Sequence, residues 1–503
     1  MDRRIRVLAV VLLVLFGALL VQGANVQFRR SAALASSPHN PRIAAAKLSL
    51  GRGEILAADG SVLAISIPTP KATFKYQRYY PAGSLTSQLV GFDSPVYGLF
   101  GLEGEYNGFL TPHKQPASSL SQLLSPTTST DSVLTTIQPK LQELAQAQLH
   151  GRDGAVVVLD PSTGAIEAMY GEPSFEPNGL VSPLTATEQA AWTAATTSNA
   201  AGFAPLNSLA YHHTFPPGST FKVVTSSAVL DLRPDLTNKS YPQKAVITFT
   251  DSNQTLTNDS GGFCGGTIAE MLPPSCDTGF ALVGEDLGAT TLFQQAESFG
   301  WNQVPPVDLP NKTVLASNFP TPAKLGNSQS LVAYSAIGQY DVAATALQNA
   351  LDAAAIANGG KVMAPHLMTR IDDAQGNQVK SYTPSIWKTA TTAATSATLT
   401  KMMQAVVTSG TAGGVGFLPQ DNVAAKTGTA QTSLTNVNEV TDTWMIAFAP
   451  ADHPQVAIAV IVPNQSFSAT GAEIAGPIMK CMIEGALALR AGQPVTGTAT
   501  TCP

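Results

Sequence analysis

The sequence predicts an α/β (α+β) protein in which one sheet is flanked by helices, preceded by a small β-rich region and a single apolar N-terminal segment. Apolar runs of strand length occur at 155–159 and 165–170, separated by a turn typical of a hairpin. Helical patterns follow, and strand-like runs return at 444–449 and 456–462. Strands before and after a helical middle predict one sheet with helices packed on it.

The composition indicates a folded chain of two or more domains. The residues are 44% hydrophobic and 12% charged, a composition that excludes a disordered chain. With 503 residues, the chain is too long for one small domain. With 28 Lys and Arg against 34 Asp and Glu, the formal net charge is −6, which argues against a nucleic-acid partner. The sequence contains neither a phosphate-binding loop nor a dinucleotide fingerprint, so no cofactor is expected.

The N-terminus predicts a membrane anchor. Arg3, Arg4 and Arg6 precede residues 7–28, a stretch of 22 residues without a charge that is long enough to cross a bilayer. The arginines should stay in the cytoplasm, which places the rest of the chain outside it. A cleaved signal peptide is the alternative, but residues 21–25 match a cleavage site poorly, so an uncleaved signal anchor is favoured.

The pattern along the chain predicts five parts: 1–28 is the cytoplasmic tip and signal anchor, 29–49 a spacer, 50–150 an N-terminal non-catalytic domain, 151–492 the larger domain, and 493–503 a tail. Within the N-terminal domain, the apolar segments 55–56 and 62–65 alternate with Gly and Pro turns, and 137–149 has helical spacing. In the larger domain, helices are expected at 221–232, 290–299 and 340–358.

The four cysteines limit the chemistry. Cys264, Cys276, Cys481 and Cys502 lack the C-x-x-C spacing of zinc ribbons and thioredoxin-like sites, so no metal site is predicted. In an exported chain, the twelve-residue separation of Cys264 and Cys276 would suit one local disulfide. Free buried thiols are the alternative.

Ser219 and Lys222 form a candidate nucleophile and base. Ser219 comes after a Pro-Pro-Gly breaker and starts an apolar helical run, so its Oγ can sit at a helix N-terminus. Lys222 is three residues on and shares that helix face, where a desolvated neutral amine could take the serine proton. Backbone N–H groups at the helix N-terminus can also stabilise a developing oxyanion.

The spacing alone is weak evidence, because Ser385 and Lys388 repeat it. Pro384 precedes that second copy and its surroundings are polar, which predicts a loop or short helix start without a catalytic role. The motifs downstream of Ser219 distinguish the first copy from the second.

Two such motifs occur in order. Ser275-Cys276-Asp277 lies 56 residues downstream of Ser219, and Lys426-Thr427-Gly428-Thr429 lies 207 downstream and contains the chain's one Lys-Thr-Gly. A glycine on an edge strand would allow a peptide to approach closely and add as a further strand. The lysine and the two threonine hydroxyls offer donors for a terminal carboxylate.

These three motifs together resemble those of penicillin-binding proteins and serine β-lactamases. Residues 52–55, 59–60 and 63–64 with Gly101-Leu102-Glu103 look like the N-terminal motifs of class B penicillin-binding proteins, and 159–164 with 173–175 looks like the opening of their transpeptidase domain. The resemblance covers roughly 50–490. The short N-terminal region and the Ser275-Cys276 pair are most like the penicillin-binding protein A type.

The resemblance implies a peptidoglycan D,D-transpeptidase that β-lactams acylate, with an antiparallel sheet in its catalytic domain and no metal or cofactor. Ser219 would attack the penultimate D-Ala carbonyl of a stem peptide, and Lys222 would be the general base. Ser275 would relay a proton to the leaving amine. Lys426, Thr427 and Thr429 would hold the substrate carboxylate, and the N–H groups of Ser219 and Thr429 would form the oxyanion hole.

Asp277 departs from the family pattern, which usually has Asn at that position. The change replaces an amide donor by a carboxylate of nearly the same shape. An ionised Asp277 beside Lys222 would favour the protonated amine and weaken it as a base. A protonated Asp277, or one paired with Lys426, would cost little. We hypothesise an active enzyme with altered β-lactam acylation.

Other residues are assigned structural roles. His212 and His213 precede the Pro-Pro-Gly turn, but no acidic residue is identified to orient them for a Ser-His triad, so a surface role is favoured. Trp444 is expected in the core. Glu103 is expected to make a structural hydrogen bond or cap a helix.

Two other functions remain open at this point. A β-lactamase or β-lactam sensor shares the Ser-x-x-Lys site, although neither usually needs the region 50–149. A catalytically weakened wall-assembly scaffold is the other. Family analogy suggests a membrane glycan polymerase and division or elongation proteins as partners, and a single-pass location in the plasma membrane with the catalytic region extracytoplasmic.

Overall fold

The computed structural model describes residues 3–25, 51–69, 75–114, 128–252, 254–258, 261–310, 312–431, 440–495 and 502. The first element, α1 (Arg3–Ala24), is fully exposed and is long and apolar enough to cross a membrane. The predicted spacer, 29–49, and most of the predicted tail, 493–503, lie outside the described residues.

The N-terminal part is built on short strands joined by tight turns. Its strands are β1 (Ile55–Leu56), β2 (Val62–Pro68), β3 (Tyr76–Tyr79), β4 (Phe92–Ser94), β5 (Gly98–Phe100), β6 (His113–Lys114), β7 (Thr128–Ser129) and β8 (Ser132–Thr135). Its helices are α2 (Ser87–Val90), α3 (Leu102–Glu105), α4 (Asn107–Leu110) and α5 (Pro139–Leu149). The small β-rich region expected from the sequence is present.

The larger part contains the remaining elements. Its strands are β9 (Gly154–Leu159), β10 (Ile166–Glu172), β11 (Tyr241–Lys244), β12 (Val246–Thr248), β13 (Thr255–Thr257), β14 (Cys264–Gly266), β15 (Lys361–Met363), β16 (Met368–Asp372), β17 (Gln378–Ser381), β18 (Ile386–Thr389), β19 (Ala424–Gln431), β20 (Val440–Ala449) and β21 (Val456–Ser466). Its helices are α6 (Thr185–Thr196), α7 (Lys222–Leu232), α8 (Ile268–Met271), α9 (Asp277–Ser298), α10 (Pro322–Leu325), α11 (Gln329–Ala336), α12 (Ala346–Ala357), α13 (Ala393–Ser409) and α14 (Gly471–Arg490).

A five-stranded antiparallel sheet forms the centre of the larger part, in the order β10-β9-β21-β20-β19. Every residue of β9 is buried, and so is every residue of β20 after its first. Burial on both faces explains why β9 and the 444–449 half of β20 are continuous apolar runs instead of alternating ones. Helices α5 and α14 pack on each other and on the sheet, as do α12 and α13.

A second sheet joins the two parts of the chain. Its order is β17-β16-β8-β1-β2-β3, and β16 pairs antiparallel with β8. Strands β16 and β17 therefore complete a sheet whose other strands all lie before residue 136. The larger part thus contributes backbone hydrogen bonds directly to the N-terminal part.

A buried ion cluster holds the N-terminal part together. The Glu103 carboxylate is fully buried and lies 2.8 Å from Arg52 Nη2 and 2.5 Å from Arg78 Nε. Burial disfavours its charged form, but the two guanidiniums outweigh that cost and hold the pKa of Glu103 below its usual value. Glu103 thus has the structural role expected from the sequence, but it fills that role through two buried ion pairs and not through a helix cap.

Two predicted helices differ from the structure at their starts. The helix predicted at 340–358 begins at Ala346, because Tyr340 has a left-handed φ of 64° and Ala344 bridges to Phe215. The Thr345 side chain caps the new start. The helix predicted at 290–299 belongs to the longer α9, which Gly288 interrupts with φ 73°.

The four cysteines form two disulfides. Cys264 at the start of β14 pairs with Cys276, the residue before α9. Cys481 on α14 pairs with Cys502, which ties the end of the chain to that helix. The second pairing was not predicted, because nothing in the sequence pattern around these two residues indicates it.

Replacing Glu103 by Ala is expected to lower the free energy of unfolding by about 3–5 kcal/mol, because two buried guanidiniums lose their partner. Glu103→Gln keeps the shape and should lose less. Since the pKa of Glu103 is lowered, the carboxylate's contribution is present above its usual pKa of about 4.3 and is lost as the pH falls through the folded value. Denaturant unfolding of the full-length protein in detergent, at pH 7 and below pH 4, measures both effects.

The control is Glu143→Ala, which breaks an exposed ion pair with Lys140. That change should have little effect. Equal losses for Glu103→Ala and Glu143→Ala would contradict the structural role of Glu103.

Candidate active site

The predicted nucleophile lies in a 3₁₀ turn that leads into α7. This turn spans Gly218–Phe221, and Ser219 within it is buried, with 4% of its surface exposed. Side chains three residues apart eclipse each other in a 3₁₀ helix, so Ser219 and Lys222 lie on the same side. Gly218 has φ 52°, and a Cβ there would lie 2.7 Å from the Thr429 carbonyl oxygen. Glycine is therefore required where the nucleophile turn meets β19.

The predicted base lies in a buried polar cluster. Lys222 is fully buried, and its Nζ is 2.6 Å from Asp277 Oδ1 and 2.8 Å from the Ser275 carbonyl oxygen. The same Nζ is 3.3 Å from Ser275 Oγ. The second carboxylate oxygen, Asp277 Oδ2, is buried and accepts no hydrogen bond from the described residues. The structure thus pairs Asp277 with Lys222 rather than with Lys426.

Ser275 connects the two lysines. Its Oγ lies 2.9 Å from Lys426 Nζ, which also donates to the Thr427 carbonyl oxygen at 2.9 Å. Ser275 has a left-handed φ of 60°, which is uncommon for a residue other than glycine. The Cys264–Cys276 disulfide fixes the next residue. The local backbone is constrained in the conformation that places the Ser275 hydroxyl between two amines.

The Lys-Thr-Gly strand is β19, an edge strand of the central sheet. A Cβ on Gly428 would lie 2.8 Å from the Pro217 carbonyl oxygen and 2.9 Å from the Trp444 Cβ. The sequence pattern had suggested that this glycine allows close approach by a substrate peptide. In the structure, Gly428 also makes room for the nucleophile turn and for Trp444 on the neighbouring strand, and its role toward a substrate peptide stays a prediction.

Trp444 is fully buried, as expected, and also bonds to the turn. It lies opposite Gly428 in the β19-β20 register, and its Nε1 donates to the Pro216 carbonyl oxygen at 2.9 Å. The core residue therefore supports the turn that carries Ser219.

A cleft of about 680 Å³ opens beside these residues. Its described lining consists of Ser219, Thr255, Leu256, Thr257, Asn258, Gly261, Asp277, Tyr334, Ile337, Gln339, Thr429, Gln431, Thr441, Phe467, Ser468, Ala469 and Thr470. Of these, Asp277 alone carries a formal charge, so hydroxyls and amides dominate the polar surface. The described residues contain no group of three His, Cys, Asp or Glu side chains placed to hold a metal ion.

Two residues that contact β19 were not predicted from the sequence. The Oγ1 atoms of Thr411 and Thr427 are 2.6 Å apart and hydrogen bonded, and the Thr411 N–H donates to the Pro273 carbonyl oxygen. The amide of Gln339 contacts the backbone of Gln431. Both lie in Gly-x segments (Gly410-Thr411 and Gly338-Gln339), but nothing in the sequence places those segments beside β19.

The histidines and the second Ser-x-x-Lys copy, to which the sequence assigns no catalytic role, make contacts outside the Ser219 cluster. His212 Nδ1 bonds to the Thr313 carbonyl oxygen, and the His213 ring packs against Phe203. Burial lowers the pKa of His213. In the second Ser-x-x-Lys copy, Ser385 lies in the loop before β18, as predicted, but Lys388 lies on the strand itself. Residues three apart on an extended chain point to opposite sides, so the two side chains do not share a face.

One further buried acid lies near β19. Asp442 lies opposite Ala430 on β20, and burial raises its pKa to about 6. The Asp442 carboxylate accepts a hydrogen bond from the Asn464 N–H, and this bond offsets part of the rise in pKa. Asp442 is not among the residues that line the cleft.

The arrangement has the parts of a serine acyl-transfer site. A buried serine at a helix start, two buried amines and a bridging hydroxyl converge beside the free edge of a strand. Comparisons with known proteins agree with that class. The family model described as the penicillin binding protein transpeptidase domain matches 154–484, and the penicillin binding protein A dimerisation domain matches 52–133.

Known relatives match over nearly the whole chain. The peptidoglycan D,D-transpeptidase PbpA of Mycolicibacterium smegmatis is 34% identical, with 97% of this chain and 99% of the relative aligned. PbpA of Mycobacterium tuberculosis is 33% identical over the same shares. The solved ceftriaxone acyl-enzyme complex of penicillin-binding protein A from M. tuberculosis superposes with a TM-score of 0.78 at 32% identity, covering 88% of this chain and 99% of that structure.

The fold and site therefore define a serine penicillin-binding transpeptidase. The chain belongs to the penicillin-binding protein family, and within it to the penicillin-binding protein A type. The resemblance and the fold predicted from the sequence are confirmed.

Replacing Asp277 by Asn is expected to speed β-lactam acylation below the pH optimum. The change removes a carboxylate 2.6 Å from Lys222 Nζ, a partner that favours the charged amine over the neutral one, so the general base should become more available to the Ser219 proton. Stopped-flow acylation of the full-length protein with a penicillin, from pH 5 to 9, measures this.

Asp442→Asn is the control, because it removes a different buried carboxyl group, one whose pKa burial raises to about 6. It should leave the acylation profile close to that of the wild type. An Asp277→Asn profile that coincides with the wild type would refute the inhibitory role of Asp277.

Proposed function

We propose that the protein is a peptidoglycan D,D-transpeptidase, which cross-links stem peptides through a Ser219 acyl-enzyme. The observation that carries the proposal is the contact of Ser275 with both Lys222 and Lys426 beside the free edge of β19. The near full-length relatives named peptidoglycan D,D-transpeptidases support it.

In the proposed acylation step, Lys222 takes the Ser219 proton and Oγ attacks the carbonyl carbon of the penultimate D-Ala. The oxyanion forms against the N–H groups of Ser219 and Thr429. The C–N bond then breaks, and the leaving amine of the terminal D-Ala receives a proton through Ser275. The products are an ester on Ser219 and free D-Ala.

The substrate is proposed to bind along β19. An edge strand presents unpaired backbone groups to which an extended peptide can add. Thr427 and Thr429, with Lys426, are proposed to hold the terminal carboxylate, and Gly428 keeps the strand close to the nucleophile turn. An amine of a second stem peptide then attacks the ester, which forms the cross-link and regenerates Ser219. A β-lactam presents an equivalent carbonyl and carboxylate and is proposed to acylate the same serine.

We also infer that α1 anchors the chain in the plasma membrane with its arginines in the cytoplasm and the catalytic part outside. Two disulfides support this placement, because disulfides persist in oxidising compartments. The five-part division is kept, with 50–150 as a pedestal that the shared β16-β8 pairing attaches to the transpeptidase domain. A glycan polymerase and division or elongation proteins remain the proposed partners.

Incubation with a fluorescent penicillin is expected to give a covalent adduct on the full-length protein that persists for minutes, because the proposed transpeptidase passes its acyl group to an amine, whereas a β-lactamase passes it to water. Intact mass and gel fluorescence measure it over an hour. Ser219→Ala should form no adduct, whereas Ser385→Ala, which alters the other Ser-x-x-Lys copy, should label like the wild type.

Rapid release of hydrolysed drug would instead indicate a β-lactamase. Absence of any adduct in the wild type would indicate the scaffold role. Either result would refute the proposed transpeptidase.

Thr411→Val is expected to reduce acylation efficiency by about two- to tenfold, because Thr427 loses the hydrogen bond that orients its hydroxyl toward the substrate carboxylate. The loss should disappear for a penicillin whose carboxylate is esterified. Acylation rates for the acid and the ester measure the difference. Thr408→Val, the same change on the exposed side of α13, is the control. Equal losses for acid and ester would show that Thr411 acts on stability alone.

A further inference from the structure

The Gln339 side chain occupies the free edge of β19. Oriented by its hydrogen-bond partners, its amide nitrogen donates to the Gln431 carbonyl oxygen at 3.2 Å and its amide oxygen accepts from the Gln431 N–H at 3.2 Å. A side-chain amide bonded in this way reproduces the two contacts that an added strand would make. Both residues line the cleft.

Alternate residues of an edge strand present their backbone groups to the same side. Since Gln431 faces the cleft, Thr429 and Thr427 face it as well. A peptide that pairs with β19 at Thr429 would reach Gln431 as its next contact. That position is already filled by Gln339.

The backbone holds Gln339 at this point. Gly338 accepts a hydrogen bond from the Gly218 N–H at 3.0 Å, and the Gln339 N–H donates to the Tyr334 carbonyl oxygen at 3.0 Å. A Cβ on Gly338 would lie 2.2 Å from the Gly218 carbonyl oxygen. The next residue after Gln339, Tyr340, has a left-handed φ of 64°, a conformation that non-glycine residues hold only where the surroundings enforce it.

We propose that Gln339 is a specificity-determining residue that ends the peptide-binding edge of β19 after Thr429. The donor peptide then pairs with one residue of the strand and turns away before Gln431. The enzyme then recognises the terminal D-Ala-D-Ala unit, and the peptide residues that precede this unit make no backbone hydrogen bonds with β19. This inference rests on the proposed transpeptidase function.

The test compares two thioester donors with the same carboxylate-bearing leaving group. One has a single N-acetyl-D-Ala, and the other is extended by two residues, enough to reach Gln431. In the wild-type full-length protein, extension should change KM by less than about twofold. In Gln339→Ala, the KM of the long donor should fall about five- to tenfold, because the Gln431 backbone becomes available for hydrogen bonds. The KM of the short donor and both kcat values should stay unchanged.

Gln339→Asn is the second variant, because its amide is one methylene too short to reach the strand, and it should behave like Gln339→Ala. Gln329→Ala, the same change at the exposed start of α11, is the control. An unchanged or raised KM for the long donor in both Gln339 variants would overturn the proposal. Failure of the wild type to accept either donor or to bind penicillin would instead refute the transpeptidase function.

Discussion

The burial of two lysine amines around one serine hydroxyl is the constraint on which the active site depends. Removing an ammonium group from water costs several kcal/mol unless partners replace the lost hydration. Lys222 receives a carboxylate and a carbonyl oxygen, and Lys426 receives Ser275 Oγ and a carbonyl oxygen. The two amines share the Ser275 hydroxyl, which therefore lies on the shortest hydrogen-bonded route between them.

Such a cluster is stable only if its backbone is rigid. Ser275 holds a left-handed conformation between a tight turn and a disulfide, so its hydroxyl has little freedom to leave the two amines. The nucleophile turn meets β19 and the Gly338 segment through Gly218 and Gly428, where any side chain would collide with backbone. Close packing of backbone on backbone therefore fixes the geometry that flexible lysine side chains could not fix themselves.

The sequence could predict the parts of this structure that are encoded locally. Continuous apolar runs indicated the buried strands, and ordered motifs indicated the chemistry. Contacts between segments that are distant in the chain could not be predicted from the sequence. The start of α12 depends on pairing of Ala344 with Phe215, and the second sheet depends on β16 crossing to β8. Thr411 lies 16 residues from Thr427 in the chain, yet only the fold brings the two hydroxyls together.

The free edge of β19 is both a hazard and the means of function. An unpaired strand edge invites pairing with any extended chain, and proteins usually cover or interrupt such edges. Here the nucleophile turn lies close to the strand at Thr429, and the Gln339 amide satisfies the backbone at Gln431. What remains open is a short segment next to Ser219. The same side chain that protects the edge thus limits peptide pairing to the place where the acyl group must lie, so that protection against unwanted strands and selection of the reactive terminus arise from one contact.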